Sequence, residues 1–224
     1  MNKYLFPIYA VILGFLIVKL SRNKPIKNIK LLLAFSGAFL MSLTVFDLLP
    51  EVYHHLDAKQ TGLFIMIGVL LQIFLEFFSK GAEHGHVHIH KNSTVFPWLL
   101  FISLCMHAFL EGFPIHQHND MVYGVLIHKV PIAILITSYL FESGFKTFQI
   151  ALFLILFSIM TPLGTVISNN VEGVHGILDH INAIVIGIFL HISTTILFES
   201  SEGHKFNLGK ILVIVVAVII AYFI

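Results

Sequence analysis

Long apolar runs, broken only by short polar clusters, fill this sequence almost from end to end. They lie at about 4–20, 29–49, 61–79, 95–116, 121–141, 147–168, 176–198 and 208–223, each near the roughly 20 apolar residues that a helix needs to cross a bilayer. Hydrocarbon offers no water to a backbone amide or carbonyl, so such segments are expected as helices that close their hydrogen bonds internally. The expected fold class is an all-α membrane protein, one domain over 1–224 with eight transmembrane helices. Composition agrees: 11% of residues are charged, where soluble domains run near a quarter. Eight spans leave only short connections within these residues, and no room for a soluble catalytic, binding or signalling domain. The first run is too long and too poor in small residues after Lys19 for a signal peptide, so it is expected to be a span. A formal net charge of +1 argues against a nucleic-acid partner, and a single cysteine, Cys105, excludes an intramolecular disulfide.

Basic residues orient the spans. If sides alternate, the connections after spans 1, 3, 5 and 7 carry Lys19, Arg22, Lys24, Lys27, Lys30, Lys80, Lys91, Lys146, Lys205 and Lys210, whereas the other side has Lys3 and Lys59. Cytoplasmic loops carry the excess of Lys and Arg, so both termini are expected outside the cytoplasm and the 80–92 segment inside it. Gly37–Thr44 in span 2 aligns with Gly187–Thr194 in span 7, with Gly, Phe, Leu and Thr shared at matching positions. Those two spans would run in opposite directions, as in the inverted repeats of transporters.

Ionisable side chains are costly in hydrocarbon, so each one inside a span is a functional candidate. Span 4 carries His107 and Glu111, four apart and therefore on one helix face; span 5 carries His128 and Lys129. His107 and His128 are equidistant from the 114–120 connection, which puts them at one depth, about 15 Å below the outer surface. Two imidazoles and a carboxylate at one level make an N/O site suited to zinc and tolerable for iron, manganese or cobalt.

These residues carry a family resemblance. His107-Ala108-Phe109-Leu110-Glu111-Gly112 resembles the span-4 motif of the ZIP (Zrt/Irt-like) metal transporters, and His128-Lys129-Val130-Pro131-Ile132-Ala133 resembles their span-5 motif. Asp47-Leu48-Leu49-Pro50-Glu51 is similar to the end of ZIP span 2, Glu76 stands where span 3 has a glutamate, and Met160-Thr161-Pro162-Leu163-Gly164 is similar to span 6. The resemblance implies the ZIP arrangement, with spans 4 and 5 between spans 1–3 and 6–8, and a possible homodimer. Many members have a binuclear centre, with an Asn after the first histidine and two further carboxylates on span 5; here those positions are Ala108, Lys129 and Ala133. The closest branch is the one with His-Lys and a terminal Ala on span 5, which implies one transport-site metal, with the Lys129 ammonium standing in for the second cation.

Other polar residues fall into place around that site. Asp47 is a candidate fourth ligand or entrance group, and Glu51, one turn on, a rim acid; Pro50 frees a backbone carbonyl beside them. Gln72 and Glu76 share a face of span 3, and His191, Thr195 and Glu199 recur every four residues on span 7 as an exit-side stripe. His84, His86, His88 and His90 alternate in the 80–92 loop and suit weak metal capture. His54, His55, His116, His118, His175 and His180 gather toward the outer face as a vestibule. The expected activity is transport of a divalent metal, zinc foremost and otherwise iron, manganese or cadmium, into the cytoplasm by alternating access. The metal is substrate, no organic cofactor is expected, and the surroundings are membrane lipid, in a plasma (inner) membrane of bacterial type. The alternative is an intramembrane zinc hydrolase, with His107, His128 and Asp47 as ligands and Glu111 as base.

Overall fold

The computed structural model describes residues 3–21, 26, 28–79, 96–115, 120–199 and 208–224. All regular structure among them is helical, in eight principal helices: α1 (Phe6–Leu20), α2 (Ile29–His55), α3 (Ala58–Ser79), α4 (Trp98–Leu110), α5 (Met121–Glu142), α6 (Thr147–Asn170), α7 (Leu178–Glu199) and α8 (Leu208–Tyr222). Each falls on one of the eight apolar runs. Helices α2, α3, α5, α6 and α7 are long and apolar enough to cross a membrane, whereas α1, α4 and α8 have 15, 13 and 15 residues. These helices make the chain an integral membrane protein. The 80–92 loop, with His84, His86, His88 and His90, lies outside the described residues, as do His116 and His118.

Two boundaries differ from the sequence reading, for different reasons. Span 2 continues through Pro50 to His55, because the helix widens over Thr44–Leu48 into a π turn in which the Leu49 amide donates to Thr44 O, five residues back. Pro50 has no amide to offer the Phe46 carbonyl and its ring would crowd it, so a wider turn here lets the helix pass the proline. Span 4 stops earlier, at Leu110: the Gly112 amide turns to Phe109 O and the Phe113 amide to Leu110 O, tightening the end and leaving Ala108 O for another donor.

The helices associate in two groups. In one, α3 lies along α7, α7 along α2, and α2 along α8; in the other, α1 lies along α5 and α6, and α6 along α4. The α2–α5 and α3–α4 contacts join them. Landmarks fix the directions. Gln60 meets His180 and Glu76 meets His191, so α3 and α7 run parallel. His55 meets Asp179 while Gly37 abuts Ile196, so α2 and α7 are antiparallel.

Exchanging α1, α2, α3 and α4 with α6, α7, α8 and α5 turns α3–α7 into α8–α2 and α1–α5 into α6–α4, and maps α1–α6 and α2–α7 onto themselves. The α2–α5, α3–α4 and smaller α5–α6 contacts have no counterpart of similar extent. The aligned threonines behave alike too: Thr44 donates to Leu40 O at 2.8 Å and Thr194 to Leu190 O at 2.7 Å. Contacts and directions thus follow the repeat read from Gly37–Thr44 and Gly187–Thr194.

The polarity of the bundle is that of a membrane protein. Leu63, Leu70, Phe74 and Phe77 on α3 and Leu212 on α8 are exposed, while Ser36, Thr44, Thr161, Ser168 and Ser193 are fully buried. Without a hydrophobic drive between helices in lipid, small residues and hydroxyls do the packing. Backbones touch where there is no side chain: a Cβ on Gly112 would overlap Thr161 O, one on Gly164 would overlap Phe109 O, and one on Gly68 would overlap Ile184 O.

Candidate metal-binding site

Glu111 is the last residue tied into α4, its amide donating to His107 O at 3.0 Å. One helical turn separates the two side chains, and His107 Nε2 lies 3.2 Å from Glu111 Oε2. From α5, His128 presents its ring edge-on to His107, with centroids 6.3 Å apart. The equal depth read from the 114–120 connection is therefore what the fold delivers. Backbone neighbours differ from expectation: α4 packs along α6 and α3, and is not closely apposed to α5, which it meets chiefly through these long side chains.

Lys129 comes next to His128, about 100° further around the helix, yet both are interior. This works because α5 is buried on nearly every side. Lys129 Nζ donates to Glu111 Oε1 and lies over the Phe157 ring, 4.8 Å from its centroid. His107, Glu111, His128 and Lys129 are only 3%, 1%, 1% and 1% exposed, so the ion pair is held out of water and lipid alike. Glu111 Oε1 also has Thr161 Oγ1 at 2.9 Å. One carboxylate oxygen thus faces two donors and the other faces an imidazole. Gly112 and Gly164 make this possible by letting α4 and α6 touch, so that Thr161 and Thr165 reach Ala108 O and Gly112 O, each at 2.8 Å.

Among the described residues, no three His, Cys, Asp or Glu side chains stand close enough together to hold an ion. His107, Glu111 and His128 share a level, but Glu111 is engaged by Lys129 and the imidazoles stand apart. Asp47 is exposed in the π turn of α2 and is not gathered with the histidines; Glu51 is half-buried one turn further on. Gln72 is fully buried on α3. Glu76 and His191, read separately from the sequence, form a pair, with His191 Nε2 at 2.7 Å from Glu76 Oε2 and Thr195 Oγ1 donating to His191 O at 2.9 Å. The side chains of Glu199 and His175 lie outside the described residues.

At the end of the bundle shared by the α2–α3 turn and the start of α7, His55 Nδ1 is 3.3 Å from Asp179 Oδ1, and Gln60 Nε2 is 3.0 Å from His180 Nε2. His54 is exposed beside His55. Two site residues had no role in the sequence reading: Phe157 under the ammonium, and Thr161 against the carboxylate. A signal for Thr161 existed. Ser158, Thr161, Thr165 and Ser168 fall at helical spacing on one buried face of α6, where hydroxyls need acceptors.

Comparison with known proteins gives partial matches. The chain is 30% identical over 89 residues to a protein named zinc transporter ZIP1 from Danio rerio, covering 37% of this chain and 30% of that protein. It is 25% identical over 150 residues to protein zntD from Dictyostelium discoideum, covering 57% and 22%, and 26% identical over 96 residues to zinc transporter ZIP1 from Takifugu rubripes, covering 40% and 32%. The match thus spans less than a third of the length of each of these curated relatives. No family model matches the chain.

Proposed function

We propose that this chain is a ZIP-type transporter of the His-Lys branch that carries zinc, or a related divalent metal, into the cytoplasm through eight spans by alternating access. The observation that carries this reading is the buried Glu111 carboxylate, held between Lys129 and His107, with the His128 ring edge-on to His107. An isolated carboxylate here would be costly, and an ammonium on a flexible stem neutralises it while no metal is present. An arriving divalent cation competes with Lys129 for Glu111 and recruits the two imidazoles. When it leaves, the tethered ammonium returns, and the empty carrier is not left with an unpaired charge. Exchangeable nitrogen and oxygen ligands suit a site that must also release. The names of the similar proteins point the same way. The ion pair speaks against the hydrolase alternative, since a carboxylate engaged by an ammonium and a hydroxyl is a poor general base.

The deciding experiment is uptake into sealed vesicles with zinc, iron, manganese and cadmium in competition. Saturable zinc uptake is expected; vesicles that accumulate none of the four would defeat the reading. Around the core, Asp47 and Glu51 would serve the entrance, and Gln72 and the Glu76–His191 pair the inner half. His191→Ala should then slow zinc uptake several-fold without abolishing it, because a flanking site sets traffic and not the central barrier. Unchanged initial rates in the same vesicles would remove His191 from the path. Changing His84, His86, His88 and His90 together to Ser should preserve uptake while altering its apparent affinity, and complete loss would make that loop part of the path itself.

A further inference from the structure

We infer that Thr161 is a specificity-determining positioning residue: it holds Glu111 Oε1 so that Glu111 ligates through Oε2 alone, which favours a small four-coordinate cation over one that demands more oxygens. This rests on the transporter reading above and names how that site selects its metal.

The geometry is specific. Thr161 Oγ1 stands 2.9 Å from Glu111 Oε1 and 2.8 Å from Ala108 O, and the residue is fully buried. A hydroxyl has one proton for these two acceptors. Both acceptors are within reach of that proton, and an ionised carboxylate is a stronger acceptor than a neutral carbonyl, so the proton goes chiefly to Glu111. The second donor on Oε1 is Lys129, the group that a metal displaces. Thr161 does not leave in the same way: its backbone is fixed where Gly112 and Gly164 bring α4 and α6 into contact. After Lys129 withdraws, Thr161 still holds one of the two acceptor sites of Oε1 and fixes the plane of the carboxylate, which leaves Oε2 as the less engaged oxygen, on the side where His107 Nε2 lies 3.2 Å away.

One carboxylate oxygen and two imidazoles, completed by a water, make a tetrahedral set that suits Zn2+. Mn2+ prefers octahedral, oxygen-rich surroundings and gains from a second carboxylate oxygen. Removing the hydroxyl frees Oε1 and should relax the preference. The plainer account is that Thr161 only satisfies Ala108 O at the end of α4. That role would affect stability without moving a ratio of metals.

The test measures Zn2+ and Mn2+ uptake, in the same vesicles, for the wild type, Thr161→Val, Thr161→Ala and Thr161→Ser. A hydrogen bond to a charged group corresponds to about tenfold or more in an equilibrium. The Mn2+-to-Zn2+ ratio is therefore expected to rise about tenfold in the Val and Ala variants and to stay at the wild-type value in Ser, which keeps the donor. An unchanged ratio in Val or Ala overturns the inference. A second measurement needs no variant at Thr161: the infrared difference spectrum on Zn2+ binding to the purified wild type, with Glu111→Gln as the blank. The wide splitting of carboxylate stretches typical of one-oxygen ligation supports the inference, and the narrow splitting of two-oxygen ligation overturns it. Wild-type vesicles that take up neither metal would sink the transporter reading instead, leaving the infrared result to decide on Thr161.

Discussion

Glu111→Ala is expected to abolish metal uptake and also to destabilise the protein by about 3–5 kcal/mol, the cost of leaving a buried charge without its partner. The stranded charge is Lys129, fully enclosed and held by Glu111 and the Phe157 face. Glu111→Ala with Lys129→Met should therefore recover thermal stability but not uptake, since the proposed ligand is still missing. Thermal unfolding in detergent and vesicle uptake, measured on the single and double variants, separate the two effects. His107→Ala and His128→Ala remove proposed ligands without stranding an ammonium, so uptake should fall nearly to background in well-folded protein. Any of these variants that kept more than about half the wild-type rate would take its residue out of the site.

The second large effect is expected at the glycines where backbones meet. In Gly164→Ala the new methyl would overlap Phe109 O, and in Gly68→Ala it would overlap Ile184 O; a backbone carbonyl in a packed helix cannot swing aside as a side-chain tip can. Overpacking a core costs about 1–3 kcal/mol when side chains can give way, so about 3 kcal/mol or more is expected at each of these positions. Two other glycines provide the contrast. Gly62 has nothing within 4 Å of an added Cβ, and Gly124 would meet only the Cδ1 methyls of Leu43 and Leu40, at 3.0 and 3.3 Å. Gly62→Ala should be neutral or stabilising by up to about 1 kcal/mol, through helix propensity. Detergent unfolding midpoints that failed to separate Gly164 and Gly68 from Gly62 would show that these helix contacts are looser than the glycines suggest.

Much of this was legible in one dimension. Apolar runs mark where the helices lie because lipid leaves the backbone no other option, and equal distance from a connection puts His107 and His128 at one level. Even Pro50 signalled its local disturbance, though not the π turn that carries α2 on to His55. Pairing across helices was not legible. Glu76 and His191 are 115 positions apart, and each was marked as polar on its own span without a hint that they bond to each other. The engagement of Glu111 by Thr161 escaped for the same reason. It depends on how closely α4 and α6 approach, which Gly112 and Gly164 permit but do not announce. Asp47, read as a fourth ligand or an entrance group, stands exposed in the π turn of α2, in the other helix group from the histidines, a placement that spacing along one span does not reveal.

Every side chain of the central site, from His107 to Thr161, comes from three consecutive helices, α4, α5 and α6, while α7 and α8 pack on α2 and α3 in the other group. A ribosome releases the chain from its N-terminus at about 5–20 residues per second, and units tend to fold as they emerge. By the time Asn170 has been added, all the groups that bind one another at the site are already made, along with α1, their packing partner. Helices α7 and α8 then have a different task, closing α2 and α3 into a second layer beside a centre whose parts were delivered before them.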